Sequence, residues 1–556
     1  MTNPNLRTLE LKKLDIFPGR KGPLLLIIMD GVGIGRQDDT NAVYLADTPN
    51  LDRLFASKLY TTLMAHGTAV GLPTDGDMGN SEVGHNALGA GRVFDQGARL
   101  VNRALESGGI FETGEWAAIV RRAKAGGSLH FIGLLSDGNV HSHIKHLYRL
   151  IDACAAAALP RVRVHALLDG RDVGERSAPD YIDPLESRLK NISGQKGLDY
   201  AIASGGGRMK VTMDRYEADW LIVKRGWDAH VLGKARPFPS AAEAVRAFYD
   251  EDPAITDQYM DPFVVVDDNA HPLGPVVDGD AVVFFNFRGD RAIEISRAFT
   301  EKAFDAFDRG PLPDVYFAGM MEYDGDTHLP PHFLVQPPAI DRTVSQYLCA
   351  EGVRSFAVSE TQKFGHVTYF WNGNRSGHID ETLETYVEIP SDRIEFDKAP
   401  RMKARLISEK AVQLLKSGAY RFGRLNLANG DMVGHTGNMA AAVTAMETVD
   451  RCAGDLIEAV AELDGIAVVT ADHGNLDEMV TIGKDGTRSV KTAHTLNPVP
   501  FAISDQGYRG EYAMAHVESP GLSNVAATLL NLLGYEKVAD YDPSLIQFNG
   551  SRHTTS

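Results

Sequence analysis

The sequence predicts an α/β protein of two α/β domains, one of them discontinuous with the second inserted into it. Three observations carry this. Short apolar runs end in acidic or histidine residues, as in Leu24–Met29 (LLLIIM) before Asp30, and 466–471 (IAVVTA) before Asp472 and His473. Such runs read as buried parallel strands, and open α/β sheets gather their chemistry beyond the strands' carboxyl ends. Second, 556 residues exceed what one hydrophobic core holds. Third, the candidate metal-binding residues fall within 30–81 and 431–494 and never between. The expected division is therefore 1–95 with 337–556 as one domain and 96–336 as the other.

Along the chain, 47–57 (DTPNLDRLFAS) predicts a helix with Thr48 as N-cap and Pro49 at its first position. A glycine-dense loop spans 67–91. Strands are expected at 129–135, 162–168, 281–287 and 315–320, with helices at 143–157 and after 287. The proline-rich 328–338 (HLPPHFLVQPP) reads as a linker. Strands then resume at 356–359, 424–428 and 466–471.

The chain is 44% hydrophobic and 23% charged, an ordinary globular composition. A formal charge of −18 argues against nucleic acid or an anionic membrane as partner. An anionic substrate would have to be held by local cations. Cys154, Cys349 and Cys452 form no CxxC pair, which predicts buried thiols in a reducing compartment. Neither a signal peptide, nor an apolar stretch of spanning length, nor a C-terminal address motif is found, so a cytoplasmic location is expected.

Asp431 and His435 stand four apart, which places both on one face of a helix or in one turn through Gly434. Carboxylate with imidazole suits zinc or manganese, although the spacing alone is common. Asp472 and His473 are more telling, because a strand end needs no charged pair for packing. A lone histidine such as His494 is more often structural than ligating. Taken together with Asp30, these residues suffice for two ions with open positions. Ser81, in GNSEVGHN, can be an N-cap, a nucleophile or both, because a helix N-terminus would favour an alkoxide and a phosphoryl group. The stretch lacks G-x-S-x-G, so a metal in place of a histidine base is the expected activator. The middle block offers cations: Arg171 beside Asp172, Arg208 and Arg215 in GRMKVTMDR, Arg288 and Arg291 in FRGDR, with His141 in DGNVHSH. Single exposed arginines are usually solvated surface, but paired arginines at a strand end in so acidic a chain point to a bound anion.

The strings MDGVGIG, GDMGNSEVGHNALGAGR, SDGNVHSHIKH, LLDGRDV, NFRGDRA, ANGDMVGHTG, TADHGN and TAHTLNPVPF run along nearly the whole chain. By them the sequence resembles the cofactor-independent phosphoglycerate mutases of the alkaline phosphatase superfamily, and GRMKVTMDRYEADW resembles their plant and trypanosomatid branch. The resemblance implies an alkaline-phosphatase-like discontinuous domain around an inserted phosphoglycerate-binding domain. It implies interconversion of 3- and 2-phosphoglycerate, without 2,3-bisphosphoglycerate, through a phosphoserine on Ser81. One divalent ion would be held by Asp431, His435 and His494, the other by Asp30, Ser81, Asp472 and His473. Manganese is expected first, with cobalt, magnesium and zinc compatible. Lys363 would steady the phosphate, although Gln362 stands where the family usually has an acidic residue. Arg208 and Arg215 would grip the carboxylate with His141 and Arg171 nearby, Arg288 and Arg291 would bind phosphate, and Asp172 would carry the proton of the glycerate hydroxyl. The expected partner is the small-molecule substrate alone, the expected state a monomer, and the expected motion domain closure about 96 and 336, which would exclude water. The alternatives are another phosphatase or phosphopentomutase of the superfamily, which would lack the arginine-bearing middle block, and a non-catalytic metal-binding relative, which would have a broken ligand set.

Overall fold

The computed structural model describes residues 9–195, 197–214, 219–324, 327–336, 338, 340–392, 394–482 and 486–549. The chain forms two compact units: one runs to Gln96 and resumes at Pro338, and the other begins at Gly97.

The first unit is built on a seven-stranded sheet, in the order Glu384–Ile389, Ser355–Glu360, Phe422–Leu427, Leu24–Met29, Ile466–Thr470, Val499–Asp505 and Tyr60–Leu63. Leu24–Met29 lies at the centre because all six of its side chains are apolar, and each is at most 2% exposed. It pairs in parallel with strands on both sides, Leu24 opposite Phe422 and opposite Ile466. Burial of each such side chain contributes about 2 kcal/mol. Helices Ala404–Lys416 and Met439–Glu462 pack on this sheet and on one another. Val499–Asp505 runs antiparallel to both neighbours. The expected N-terminal helix is Pro49–Phe55, with Thr48 at its cap; the threonine hydroxyl bonds to the Asp52 carboxylate at 3.1 Å rather than to a backbone amide.

The second unit has its own seven-stranded sheet, in the order Arg236–Phe238, Phe263–Val265, Asp199–Gly207, Arg161–Leu168, Leu129–Leu135, Ala281–Phe284 and Tyr316–Gly319. The helix expected at 143–157 is Ile144–Ala156, capped by the His143 side chain. The proline-rich 328–338 stretch is not a free linker. Gly319 N donates to His332 O at 3.0 Å, Leu334 N and Val335 N bond to Gly319 and Met320, and Leu334 and Val335 are buried. Its apolar residues, not its prolines, decide its fate. Cys154, Cys349 and Cys452 are free, buried thiols, as expected. Among the described residues no helix is long and apolar enough to cross a membrane.

Candidate active site

Four strands of the first sheet deliver their next residues to one place. Asp30 follows Leu24–Met29 directly, and helix Thr361–Gly365, with Lys363, follows Ser355–Glu360 directly. Helix Asn429–Gly434, with Asp431, follows Phe422–Leu427, and Asp472 and His473 follow Ile466–Thr470. All four strands are parallel, so their carboxyl ends share one edge. Gly31 makes the meeting possible: its φ is +74°, and a Cβ there would stand 2.5 Å from the Asp431 amide nitrogen.

Ser81 opens helix Ser81–Ala90, but it is not the cap. Asn80, in an extended conformation, accepts a hydrogen bond from Val83 N at 3.1 Å. The N-cap reading of Ser81 is thus corrected, and its hydroxyl is left to the site. Ser81 Oγ donates to Asp30 Oδ1 at 3.1 Å and lies 2.9 Å from His473 Nε2. Lys363 Nζ donates to it at 2.5 Å. The same ammonium is 2.8 Å from Asp431 Oδ2 and 3.0 Å from Asp30 Oδ1. It is a buried cation between two buried carboxylates.

The donor set fits a divalent cation. His435 Nδ1 donates to Thr492 O and His494 Nδ1 to Gly79 O, both at 2.7 Å. In the neutral rings both Nε2 atoms are therefore bare, and they face the same oxygen, Asp431 Oδ1, at 3.0 and 3.1 Å. They stand 3.1 Å from each other. Lone pairs converging on one point, each ring fixed by a backbone carbonyl behind it, are how proteins present imidazoles to a metal. Among the described residues two groups qualify, Asp431–His435–His494 and Asp30–Asp431–His473, each with ligand atoms within 4.8 Å of one another.

The charges answer this crowding. Burial disfavours the Asp431 carboxylate, yet Lys363 and the surrounding histidines hold its pKa well below the usual range. Burial lowers His473, but Asp472, Asp30 and Asp431 outweigh it and hold the ring at about 9. His494, where burial prevails, is pushed down to about 4. At neutral pH His473 thus carries a proton in the metal-free chain, and a cation must displace it.

Asp472 sits differently from its neighbours. Its Oδ1 accepts from the amides of Gly31 and His473, 3.9 Å from His473 Nε2. Its Oδ2 is fully buried and has no hydrogen-bond partner among the described residues. His85 Nδ1 lies 3.3 Å away, but bonds to Ser81 O at 2.8 Å. Two further residues belong to the site. His85 falls four after Ser81 on the same helix face, a spacing that could have flagged it. Asn426, a polar residue in an otherwise apolar strand end, donates to Asp30 Oδ2 at 2.7 Å.

The second unit assembles a basic rim, also at the carboxyl ends of parallel strands. Arg208 is 1% exposed and bonds Asp169 Oδ1 at 2.7 Å and also Asp172 Oδ2. Its Nε has no hydrogen-bond partner among the described residues. His141 Nδ1 and Arg288 Nε approach Asp290 Oδ1 at 3.4 and 3.2 Å. Burial holds His141 neutral, well below its usual pKa. Arg291 donates to Met213 O at 2.6 Å. Arg171 is exposed, and Asp172 beside it is half-buried. Arg215 lies outside the described residues.

The chain is similar to known proteins along nearly its whole length. A sequence model of the metalloenzyme superfamily matches residues 22–537. The chain is 52% identical over 550 residues to a probable 2,3-bisphosphoglycerate-independent phosphoglycerate mutase of Leptospira interrogans, covering 97% of this chain and 100% of that one. It is 53% identical over 543 residues to the 2,3-bisphosphoglycerate-independent phosphoglycerate mutase of Trypanosoma brucei, covering 96% and 98%. A crystal structure of Leishmania mexicana phosphoglycerate mutase at low cobalt concentration superposes with a TM-score of 0.83, at 51% identity, covering 97% and 100%.

Proposed function

Since the chain belongs to the 2,3-bisphosphoglycerate-independent phosphoglycerate mutases of the metalloenzyme superfamily, we propose that it interconverts 3- and 2-phosphoglycerate through a phosphoserine on Ser81. The observation that carries the reading is the convergence of a carboxylate, an imidazole and an ammonium on one serine hydroxyl within 3.1 Å. Asp431, His435 and His494 would hold one divalent ion, and Asp30, Ser81, Asp472 and His473 a second, with manganese favoured and cobalt, magnesium or zinc compatible. When bound, the ions supply Lewis-acid charge that favours the serine alkoxide and neutralises the phosphoryl oxygens.

The chain's own groups divide the rest. Ser81 Oγ, its proton given up to solvent beforehand, attacks the phosphorus of 3-phosphoglycerate as the alkoxide; the bond from Oγ to phosphorus forms and the bond from phosphorus to O3 breaks. Lys363 Nζ, already beside Oγ, carries positive charge into the transition state. The freed O3 takes up a proton, for which Asp172 is the assigned carrier. Arg208 and Arg215, with His141 and Arg171 near, retain glycerate by its carboxylate, and Arg288 and Arg291 bind phosphate. Arg208 now grips Asp172; a substrate carboxylate competing for the same guanidinium would release Asp172 to take up from solvent the proton that it gives to O3. Glycerate O2 then attacks the phosphoserine, O2 gives up its proton to Asp172, and Ser81 Oγ leaves. Without retention of glycerate, water would take the phosphoryl group and the chain would act as a phosphatase.

The test uses chelator-stripped protein with 3-phosphoglycerate, no bisphosphoglycerate and enolase coupling, with metals returned one at a time. Formation of 2-phosphoglycerate is expected. Release of free phosphate alone would mean a phosphatase, and the roles of Arg208, Arg215 and Asp172 would be withdrawn.

A pH prediction follows from His473. Its metal-free pKa is about 9, so metal binding at neutral pH is expected to expel about one proton from this ring. Release should fade as the pH passes above 9. Metal titration in weakly buffered solution reads it directly; no proton release at neutral pH would contradict the assignment of His473 as a ligand. Below neutrality protons go on competing with the ion at His473, and near pH 4 at His494 as well, so activity should fall as the pH drops and recover partly with added metal.

A further inference from the structure

A line of buried polar side chains crosses the sheet of the second unit. Asp280 Oδ2 meets His130 Nε2 at 3.1 Å, and His130 Nδ1 meets His165 Nε2 at 2.9 Å. His165 Nδ1 meets Ser204 Oγ at 2.6 Å, Ser204 Oγ meets His230 Nδ1 at 2.7 Å, and His230 Nε2 meets Thr212 Oγ1 at 3.0 Å. All six residues are at most 2% exposed. They come from strands Leu129–Leu135, Arg161–Leu168 and Asp199–Gly207, from helix Trp220–His230, and from the turns before Ala281 and after Gly207.

Its polarity has one solution. Asp280 also accepts from Ser128 N and Val277 N at 2.6 and 2.8 Å, so it is an anchored acceptor. His130 must then donate from Nε2 and accept at Nδ1. His165 donates from Nε2 and accepts the Ser204 hydroxyl at Nδ1. His230 donates from Nδ1 to Ser204, and Thr212 donates to His230 Nε2. Each neutral ring uses one donor and one acceptor, and nothing in the line is left over. Burial keeps the rings neutral, with His230 pushed down to about 3 and His130 and His165 lowered too.

The line ends on a strained residue. Thr212 has φ +68°, which a β-branched side chain rarely adopts. Its amide is tied to Ile222 O at 2.8 Å, and a Cβ at Gly226 would stand 2.0 Å from its Oγ1, so the helix presses directly on it. Strain of this kind persists only where the surroundings impose it. Thr212 lies four residues after Arg208, and its neighbour Met213 receives the Arg291 bond at its carbonyl. One turn thus joins two arginines assigned to substrate.

We propose that Asp280, His130, His165, Ser204 and His230 are positioning residues that lock the Thr212 turn and so place Arg208 and Arg291 for the substrate anion. The proposal rests on the substrate-binding reading of those arginines. In the full, metal-loaded chain, Thr212→Val keeps the shape and removes the donor, Thr212→Ser keeps the donor, and Arg208→Lys tests the reading itself. Thr212→Val is expected to raise KM for 3-phosphoglycerate about five- to tenfold with kcat within about twofold. Amide hydrogen exchange over 208–214 should quicken at least about tenfold, and Thr212→Ser should restore both. Unchanged exchange in Thr212→Val overturns the proposal. Faster exchange with unchanged KM also overturns it when Arg208→Lys raises KM, since the line would then hold the turn without serving substrate. If Arg208→Lys leaves KM unchanged too, the reading of Arg208 has failed, and the positioning role falls with it.

Discussion

Ser81→Ala is expected to reduce mutase turnover to background, a loss on the order of 10⁶-fold if the serine is the covalent carrier. The fold should survive. Asn80 keeps the helix cap through its bond to Val83 N, and alanine is the best helix former for the first helical position. The bonds to Asp30, His473 and Lys363 are lost, but those three groups still meet one another. The decisive comparison is intact mass after brief exposure to 3-phosphoglycerate: a phosphoryl adduct on the wild-type chain and none on the variant. A variant within about a hundredfold of the wild-type rate would retain nearly all the barrier lowering and sink the phosphoserine mechanism.

Lys363→Met should be the second most damaging change, in two separable ways. Its ammonium, 4% exposed, is the nearest cation to Asp30 and Asp431. Burial would lower its pKa, but Asp30, Asp431 and Asp472 raise it, so it stays charged. Removing one partner of a buried ion pair costs about 3–5 kcal/mol, because the remaining charges stay uncompensated. That penalty should be read in thermal unfolding of chelator-treated protein. Divalent ions would supply the missing charge, so the loss should shrink in metal-loaded protein, whereas kcat should remain about 10²–10³-fold down. Equal destabilisation with and without metal would count against the placement of the ions beside this lysine.

Much of this was legible in the sequence, for a definite reason. A strand buried on both faces must be apolar, so a charged residue at its end stands out, and Asp30, Asp472 and His473 announced the edge where they meet. Other features carry no local signal. Asn80 and Ser81 are both good caps, and only the backbone shows which one is used. Lys363 looks like any helix-forming lysine until the fold buries it against residues far away in sequence. His130 and His165 lie in segments that read as strands, His230 lies in a segment given no reading, and their alignment depends on which elements become neighbours. The 328–338 stretch misled because proline marks breaks in regular structure but says nothing about burial of the apolar residues beside it.

The position of Leu24–Met29 has a consequence for biosynthesis. Its partners, Phe422–Leu427 and Ile466–Thr470, are translated roughly 400 residues later. At about 5–20 residues per second, the ribosome needs about 20–80 s to supply the first of them. Throughout that interval six consecutive apolar residues wait without a sheet, while the whole of 97–337 emerges with every strand it pairs with. The nascent chain therefore carries an exposed, aggregation-prone strand next to a unit able to fold, and chaperone demand should concentrate on the first thirty residues.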